Sequence, residues 1–179
     1  FGRAHLIADN LLAQGKAKAM IIAMTDGHPA TGPKNLEAFG KDLLEDVMPF
    51  VEANYRTKAG REQRAIVGLS MGGGQSLTVG LNNLDRFAWV GGFSAAIANP
   101  ETSVATALAD PAATNAKLRL LWIACGKEDR LAEHATKLSE LLKAKEIRHE
   151  LKITEGNHSW PVWRRYLGEF LPLLFQEGK

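Results

Sequence analysis

Gly68-Leu69-Ser70-Met71-Gly72-Gly73 follows a short apolar run, Ala65-Ile66-Val67, and precedes apolar residues at helical spacing, Leu77, Leu81 and Leu84. The pattern predicts a strand, a sharp turn and a helix, with a serine at the apex. G-x-S-x-G in that setting is a nucleophile elbow. The apex residue is held in a strained backbone so that its hydroxyl projects from the sheet. Gly68 and Gly72 carry no Cβ, so strand and helix can approach closely. The turn also leaves the Met71 amide near a helix N-terminus, above Ser70, where a developing oxyanion needs a donor. The plainer alternative is a Gly-rich turn with a passive serine; the strand before it and the helix after it favour the elbow.

Working outward, the chain has 179 residues and a net charge of +2, with basic and acidic residues interleaved. That length suits one domain with a substantial core. The charge pattern leaves no nucleic-acid footprint. The lone cysteine, Cys125, excludes an internal disulfide framework. No apolar run approaches the roughly 20 residues that span a bilayer, so no membrane partner is expected. No signal peptide is visible in a chain that starts at Phe1.

Residues 4–15 predict a helix with Leu6, Ile7, Leu11 and Leu12 as its apolar stripe and Gly15 as its stop. Ala19-Met20-Ile21-Ile22-Ala23-Met24 reads as a buried parallel strand. Thr25 to Pro33 is a loop. Asn35 is placed to cap the next helix, on which Leu36, Phe39, Leu43, Val47, Phe50 and Val51 keep helical spacing and Pro49 marks a kink or a restart. After the elbow, Phe87–Phe93 and Leu118–Cys125 read as strands, separated by an Ala/Thr/Pro-rich excursion with a short helix. Leu131, Ala135, Leu138, Leu141 and Leu142 mark a helix, and Glu150–Thr154 alternates as a strand with Leu151 and Ile153 on one side. Pro161 opens a final helix that buries Val162, Trp163, Tyr166, Leu167, Phe170, Leu171 and Leu174. Strand alternates with helix throughout, which implies an α/β fold: a parallel sheet covered on both faces, with its chemistry on the loops at the strands' C-terminal ends.

A serine nucleophile needs a base, and the base an orienting acid; in an elbow architecture they follow in the order Ser, acid, His. His5, His134 and His149 lie on predicted helices or at a strand start, and His28 precedes the serine. His158, after the last strand, stands in the expected place. Glu128 and Asp129 both follow the strand ending at Cys125. Asp129 is preferred because it is farther past the strand end and can reach back to the last loop; Glu128 is the alternative. Asp129 could instead cap the following helix. Cys125 ends an apolar run and reads as a buried structural thiol. Trp160 could pack the last helix or form a wall of an acyl pocket. No cluster has metal-ligand spacing and no loop resembles a phosphate cradle, so no metal and no cofactor are expected.

Three stretches carry a resemblance. Gly68–Gln75, Pro49-Phe50-Val51-Glu52-Ala53-Asn54-Tyr55-Arg56 and Gly156-Asn157-His158-Ser159-Trp160-Pro161-Val162-Trp163 resemble the esterase-D-like esterases, a group that includes the feruloyl and acetylxylan esterases of carbohydrate esterase family 1. The resemblance runs over nearly the whole chain. It implies an α/β-hydrolase fold, a Ser70 nucleophile, a His158 base and an Asp129 acid. Members of that family also have earlier strands and a His/Gly-rich loop donating a second oxyanion amide. No such loop precedes residue 4 here. Residues 1–179 are therefore expected to be one catalytic domain, N-terminally incomplete, forming the C-terminal portion of a larger domain. An N-terminal segment or a second chain would complete the sheet between Ala19–Met24 and Arg64–Val67. The nearest backbone within the chain for the second donor is the Thr25–His28 loop. The implied activity is hydrolysis of hydroxycinnamoyl, then acetyl, esters of plant cell-wall polysaccharide, with a small ester or acylated polysaccharide as substrate. A secreted or periplasmic location goes with the resemblance. An acyltransferase, a thioester hydrolase and a catalytically silent fragment are the alternatives.

Overall fold

Residues 2–176 are described by the computed structural model, and they fall into two units, residues 2–19 with 60–176 and residues 20–59. In the first, α1 (Ala4–Ala13) ends where predicted, with Gly15 in the left-handed region at φ 67°. Its apolar stripe is only partly covered: Leu6 is 46% and Leu12 48% exposed.

The 20–59 unit departs from expectation at its start. Residues 19–24 form no strand, and Ile21, Ile22 and Met24 are exposed. The run has the composition of a buried strand, but a strand exists only through a neighbour that takes its N–H and C=O groups. No strand among the described residues pairs with it. Asn35 likewise does not cap. A 3₁₀ turn, Gly32–Lys34, leads into α2 (Asn35–Lys41), and the Asn35 amide instead stitches the preceding loop, donating to the Gly27 carbonyl (2.9 Å) and accepting from the Ala30 N–H (3.3 Å). Pro49 restarts the helix: a π-helical stretch, Asp42–Val47, joins α2 to α3 (Met48–Asn54). The wider turn accommodates a ring that would clash with an α-helical carbonyl one turn back.

The four-stranded sheet belongs to the first unit. Its strands β1 (Ala65–Leu69), β2 (Trp89–Phe93), β3 (Leu120–Gly126) and β4 (Glu150–Thr154) are all parallel and lie side by side in chain order. The helices α4 (Met71–Asn82), then α5 (Pro100–Ser103), α6 (Ala105–Ala109) and α7 (Pro111–Lys117), and then α8 (Ala132–Ala144) connect them, and α9 (Trp160–Phe170) follows β4. Parallel strands need such crossovers, and the central pair becomes wholly apolar because both faces are covered. Every residue of β2 and β3 is buried.

Adjacent glycines of β2 show which helix covers which face. A Cβ on Gly92 would meet Leu77 of α4 at 2.6 Å, and one on Gly91 would meet Phe170 of α9 at 2.9 Å. Successive strand residues point to opposite faces, so α4 and α9 cover opposite sides of the sheet. On the α9 side, Phe93, Trp122, Tyr166 and Phe170 form a cluster with ring centroids 5.3–5.9 Å apart. Such pairs add about 0.5–1.5 kcal/mol each beyond their buried area. The edge strand β4 is less covered than its alternation predicts: Ile153 is 44% exposed.

Candidate active site

Strand β1 delivers Ser70 to the site in a strained turn. Ser70 has φ 55° and ψ −121°, a region that costs a non-glycine residue about 1–3 kcal/mol. The surroundings enforce it. The Ser70 N–H donates to the Phe93 carbonyl (2.9 Å), and the Ser70 carbonyl accepts from Gly74 (3.1 Å) and Ala96 (2.9 Å). A Cβ on Gly68 would lie 2.2 Å from the Gly72 carbonyl oxygen, so strand and helix meet at backbone contact, as the glycine spacing predicts. Met71 is the first residue of α4, which puts its amide at the positive end of the helix dipole beside Ser70.

Strand β3 delivers Asp129, and the loop after β4 delivers His158. Gly126 and Gly156 bring those two loops together: a Cβ on Gly126 would sit 1.9 Å from the Gly156 carbonyl oxygen. Gly156 itself is at φ 118°, a conformation that L side chains rarely adopt. Glu128 closes the same junction from outside. Its carboxylate accepts from the Gly156 N–H at 2.6 Å, which holds its carboxyl below the usual value. The sequence left Glu128 and Asp129 as competing acids; in the structure Glu128 braces the histidine loop and Asp129 meets the histidine.

The three side chains form one hydrogen-bonded series. His158 Nδ1 lies 2.8 Å from Asp129 Oδ2 and 3.0 Å from Oδ1, and His158 Nε2 lies 2.9 Å from Ser70 Oγ. The Asp129 side chain is fully buried and that of His158 is 22% exposed. Burial pushes the Asp129 carboxyl up, but hydrogen bonds from the Ser94 hydroxyl, the Leu131 N–H (2.9 Å) and His158 more than offset it, so the group lies below its ordinary value. An ionised carboxylate can only accept, so Nδ1 donates to it. The neutral imidazole is thereby left with Nε2 as the acceptor facing the Ser70 hydroxyl. Asp129 does not cap α8, whose N-cap position is Leu131; its carboxylate instead accepts from the Leu131 N–H in the turn before the helix, as well as from the histidine.

The remaining candidates are elsewhere engaged. His149 Nδ1 donates to the Ile147 carbonyl (2.8 Å) while Nε2 accepts from Ser139 (2.7 Å). His28 and the Thr25–His28 loop belong to the 20–59 unit. Cys125 is buried, and burial, then the Asp129 charge, raises its thiol to about 11, which suits an inert residue. Trp160, the first residue of α9, stands perpendicular to Trp163 at 5.2 Å and packs against the backbone of Gly2. It is Trp163 that meets His158, at 4.7 Å and 90°. In the sequence, Trp163 falls among the core positions of the last helix, and no motif marks Ser94. Among the described residues no group of His, Cys, Asp and Glu could hold a metal ion. No described helix is long and apolar enough to cross a membrane.

A parallel sheet with helices on both faces, a serine at a strand-to-helix elbow, and an acid and a histidine on later strand ends together define an α/β-hydrolase fold. Solved structures share it. The feruloyl esterase module from Clostridium thermocellum, complexed with sinapinate, superposes with a TM-score of 0.84 at 22% identity, over 99% of this chain and 71% of that one. A CE1 ferulic acid esterase from Anaeromyces mucronatus, in complex with ferulic acid, gives 0.78 at 24% identity, over 93% and 69%. The chain belongs to the esterase family described as "Putative esterase", which it matches over residues 11–174. Among curated relatives, an endo-1,4-beta-xylanase/feruloyl esterase of Xylanibacter ruminicola is 32% identical over 98% of this chain. An esterase of Mycobacterium tuberculosis is 36% identical over 40% of it. This chain spans 24% of the first relative's length and 17% of the second's.

Proposed function

We propose that the chain is a serine carboxylesterase that hydrolyses hydroxycinnamoyl esters, feruloyl above all, of plant cell-wall polysaccharide, with acetyl esters as poorer substrates. The Ser70–His158–Asp129 hydrogen-bond series is the observation that carries the reaction type. The acyl preference rests on similarity to a xylanase/feruloyl esterase across almost the whole chain.

In this reading His158 Nε2 takes the Ser70 proton as Oγ attacks the ester carbonyl carbon. The carbonyl oxygen gains the electron pair, and the Met71 amide at the α4 N-terminus donates to it. Collapse of that intermediate breaks the bond to the alcohol oxygen, which leaves with the proton held by His158. Water then gives its proton to Nε2 as its oxygen attacks the acyl-serine. Collapse returns the proton to Ser70 and releases the carboxylic acid. Asp129 stays ionised throughout and stabilises the imidazolium formed in each half.

The sheet ends at β1 among the described residues. The reading includes a neighbouring strand and a second oxyanion donor supplied from outside these 179 residues, and it takes residues 1–179 as part of one catalytic domain. The test of acyl preference is a panel of methyl ferulate, methyl sinapate, methyl acetate and acetylated xylan. The expected kcat/KM for methyl ferulate exceeds that for methyl acetate by about tenfold or more, the discrimination that a pocket shaped for a larger acyl group supplies. Equal values, or faster acetyl release from xylan, would remove the feruloyl assignment and leave a general esterase.

A further inference from the structure

The sheet has four parallel strands, and the proposed chemistry uses the C-terminal ends of three: Ser70 after β1, Asp129 after β3 and His158 after β4. The residue after β2 is Ser94. It is fully buried and held at φ 46°, a left-handed conformation that is uncommon for serine. Its backbone is tied on both sides. The Ser94 N–H donates to the Ala124 carbonyl of β3 (2.7 Å), and the carbonyl of Phe93, one residue earlier, accepts from the Ser70 N–H (2.9 Å).

The Ser94 oxygen is fixed as an acceptor on one side. Trp163 Nε1 lies 2.9 Å from Ser94 Oγ, and an indole N–H can only donate, so Ser94 accepts there. Its own proton therefore goes to another acceptor. Cys125 Sγ lies 3.9 Å from Ser94 Oγ, and the neighbouring Asp129 carboxylate, which can only accept, is held toward its charged form by the Ser94 hydroxyl. Trp163 turns the same ring system toward His158. Trp163, Ser94, Asp129, His158 and Ser70 thus form a single chain of contacts across all four strand ends. The carboxylate is held by His158 on both oxygens and by the Leu131 N–H on Oδ1.

We propose that Ser94 is a positioning residue for the reaction: its hydroxyl, oriented by the Trp163 indole, fixes the plane and the ionised state of the Asp129 carboxylate that orients His158. The inference rests on the reading of Ser70, His158 and Asp129 as the reacting set. The titratable groups facing Asp129 are His158 and, from β3, Cys125, whose thiol is raised to about 11 and stays neutral across the working range. Glu128 and Lys127, adjacent in sequence, are occupied with the Gly156 N–H and with Glu155.

The test uses the chain within its complete catalytic domain, with Ser94→Ala, Ser94→Gly and Trp163→Phe, each also combined with Asp129→Asn. Turnover of 4-nitrophenyl acetate is followed from about pH 4 to about pH 9, with the rate of Ser70 labelling by a fluorophosphonate as a second readout. Losing a hydrogen bond to a charged group should lower kcat about tenfold for Ser94→Ala and Ser94→Gly, with KM within about twofold. Because the lost donor favoured the charged form of Asp129, the acid side of the profile should move to higher pH. Trp163→Phe keeps a ring beside His158 and should give a smaller change of the same kind. In the Asp129→Asn background the Ser94 substitutions should have almost no further effect, the mark of a residue that acts through Asp129.

Glycine adopts φ 46° without strain, so Ser94→Gly decides the matter if Ser94→Ala does not fold. A Ser94→Gly protein with wild-type kcat and pH profile, while Asp129→Asn is crippled, would overturn the role of Ser94 alone. The same loss in both Asp129 backgrounds, or a change confined to KM, would also overturn it. Near-normal turnover in Asp129→Asn by itself would instead sink the underlying reading of the triad.

Discussion

Ser70→Ala should lose ester turnover by about 10⁶-fold, with His158→Ala close behind and the fold intact in both, as in other serine enzymes whose nucleophile and base act as a unit. The hydroxyl at residue 70 is the only group of the series placed to attack a carbonyl, and Nε2 of His158, 2.9 Å away, is the acceptor for its proton. Ser70→Gly should be equally inactive and yet more stable than the parent, by about 1 kcal/mol. Its backbone at φ 55° and ψ −121° is a conformation that glycine adopts freely. Thermal unfolding beside turnover of an activated ester checks both halves. A stability gain together with loss of activity is the signature of strain kept for function. Residual turnover in Ser70→Ala within about tenfold of the parent would mean that the reaction runs elsewhere.

Asp129→Asn should cost about 10⁴-fold in kcat, and Glu128→Gln less than tenfold. The carboxylate of Asp129 accepts from both Nδ1 of His158 and the Leu131 N–H. An amide in its place offers one oxygen for two donors. If that oxygen stays with Leu131, its NH₂ faces Nδ1 and selects the tautomer in which Nε2–H points at Ser70, so the base cannot accept. Glu128 only braces the histidine loop through the Gly156 N–H, and a glutamine oxygen can still accept that bond. Stability should follow a matching pH dependence. A carboxyl lowered in the folded chain contributes stability above its unfolded value, about pH 4, and loses it as pH falls through the folded value. Asp129→Asn should flatten that acid-side loss in urea unfolding. The reverse order, with Glu128→Gln crippling and Asp129→Asn mild, would exchange their roles.

The features legible in the sequence are those set by local spacing. Gly68 and Gly72 announce a backbone contact that the structure shows at 2.2 Å for an added Cβ, and alternating strand and helix patterns announce a parallel sheet. The order Ser70, Asp129, His158 locates three strand ends without any structure. Partnership is what the pattern does not encode. Residues 19–24 have strand composition, yet a ladder needs a second strand and none among the described residues supplies one. Trp160 and Trp163 lie within one turn of a single helix, and only packing decides that the second faces His158. Glu128 and Asp129 are neighbours whose side chains serve different loops. Ser94 sits in an Ser/Ala stretch that carries no motif, and its one cue is that it directly follows the strand next to the elbow.

The 179-residue chain, shown to be folded by circular dichroism, can be incubated with a biotinylated fluorophosphonate and the adduct mapped by peptide mass spectrometry. Stoichiometric phosphonylation of Ser70 is predicted, absent in Ser70→Ala and slowed by orders of magnitude in His158→Ala. A folded chain that takes up no label, or that carries it on another residue, would contradict the assignment of Ser70 as the nucleophile.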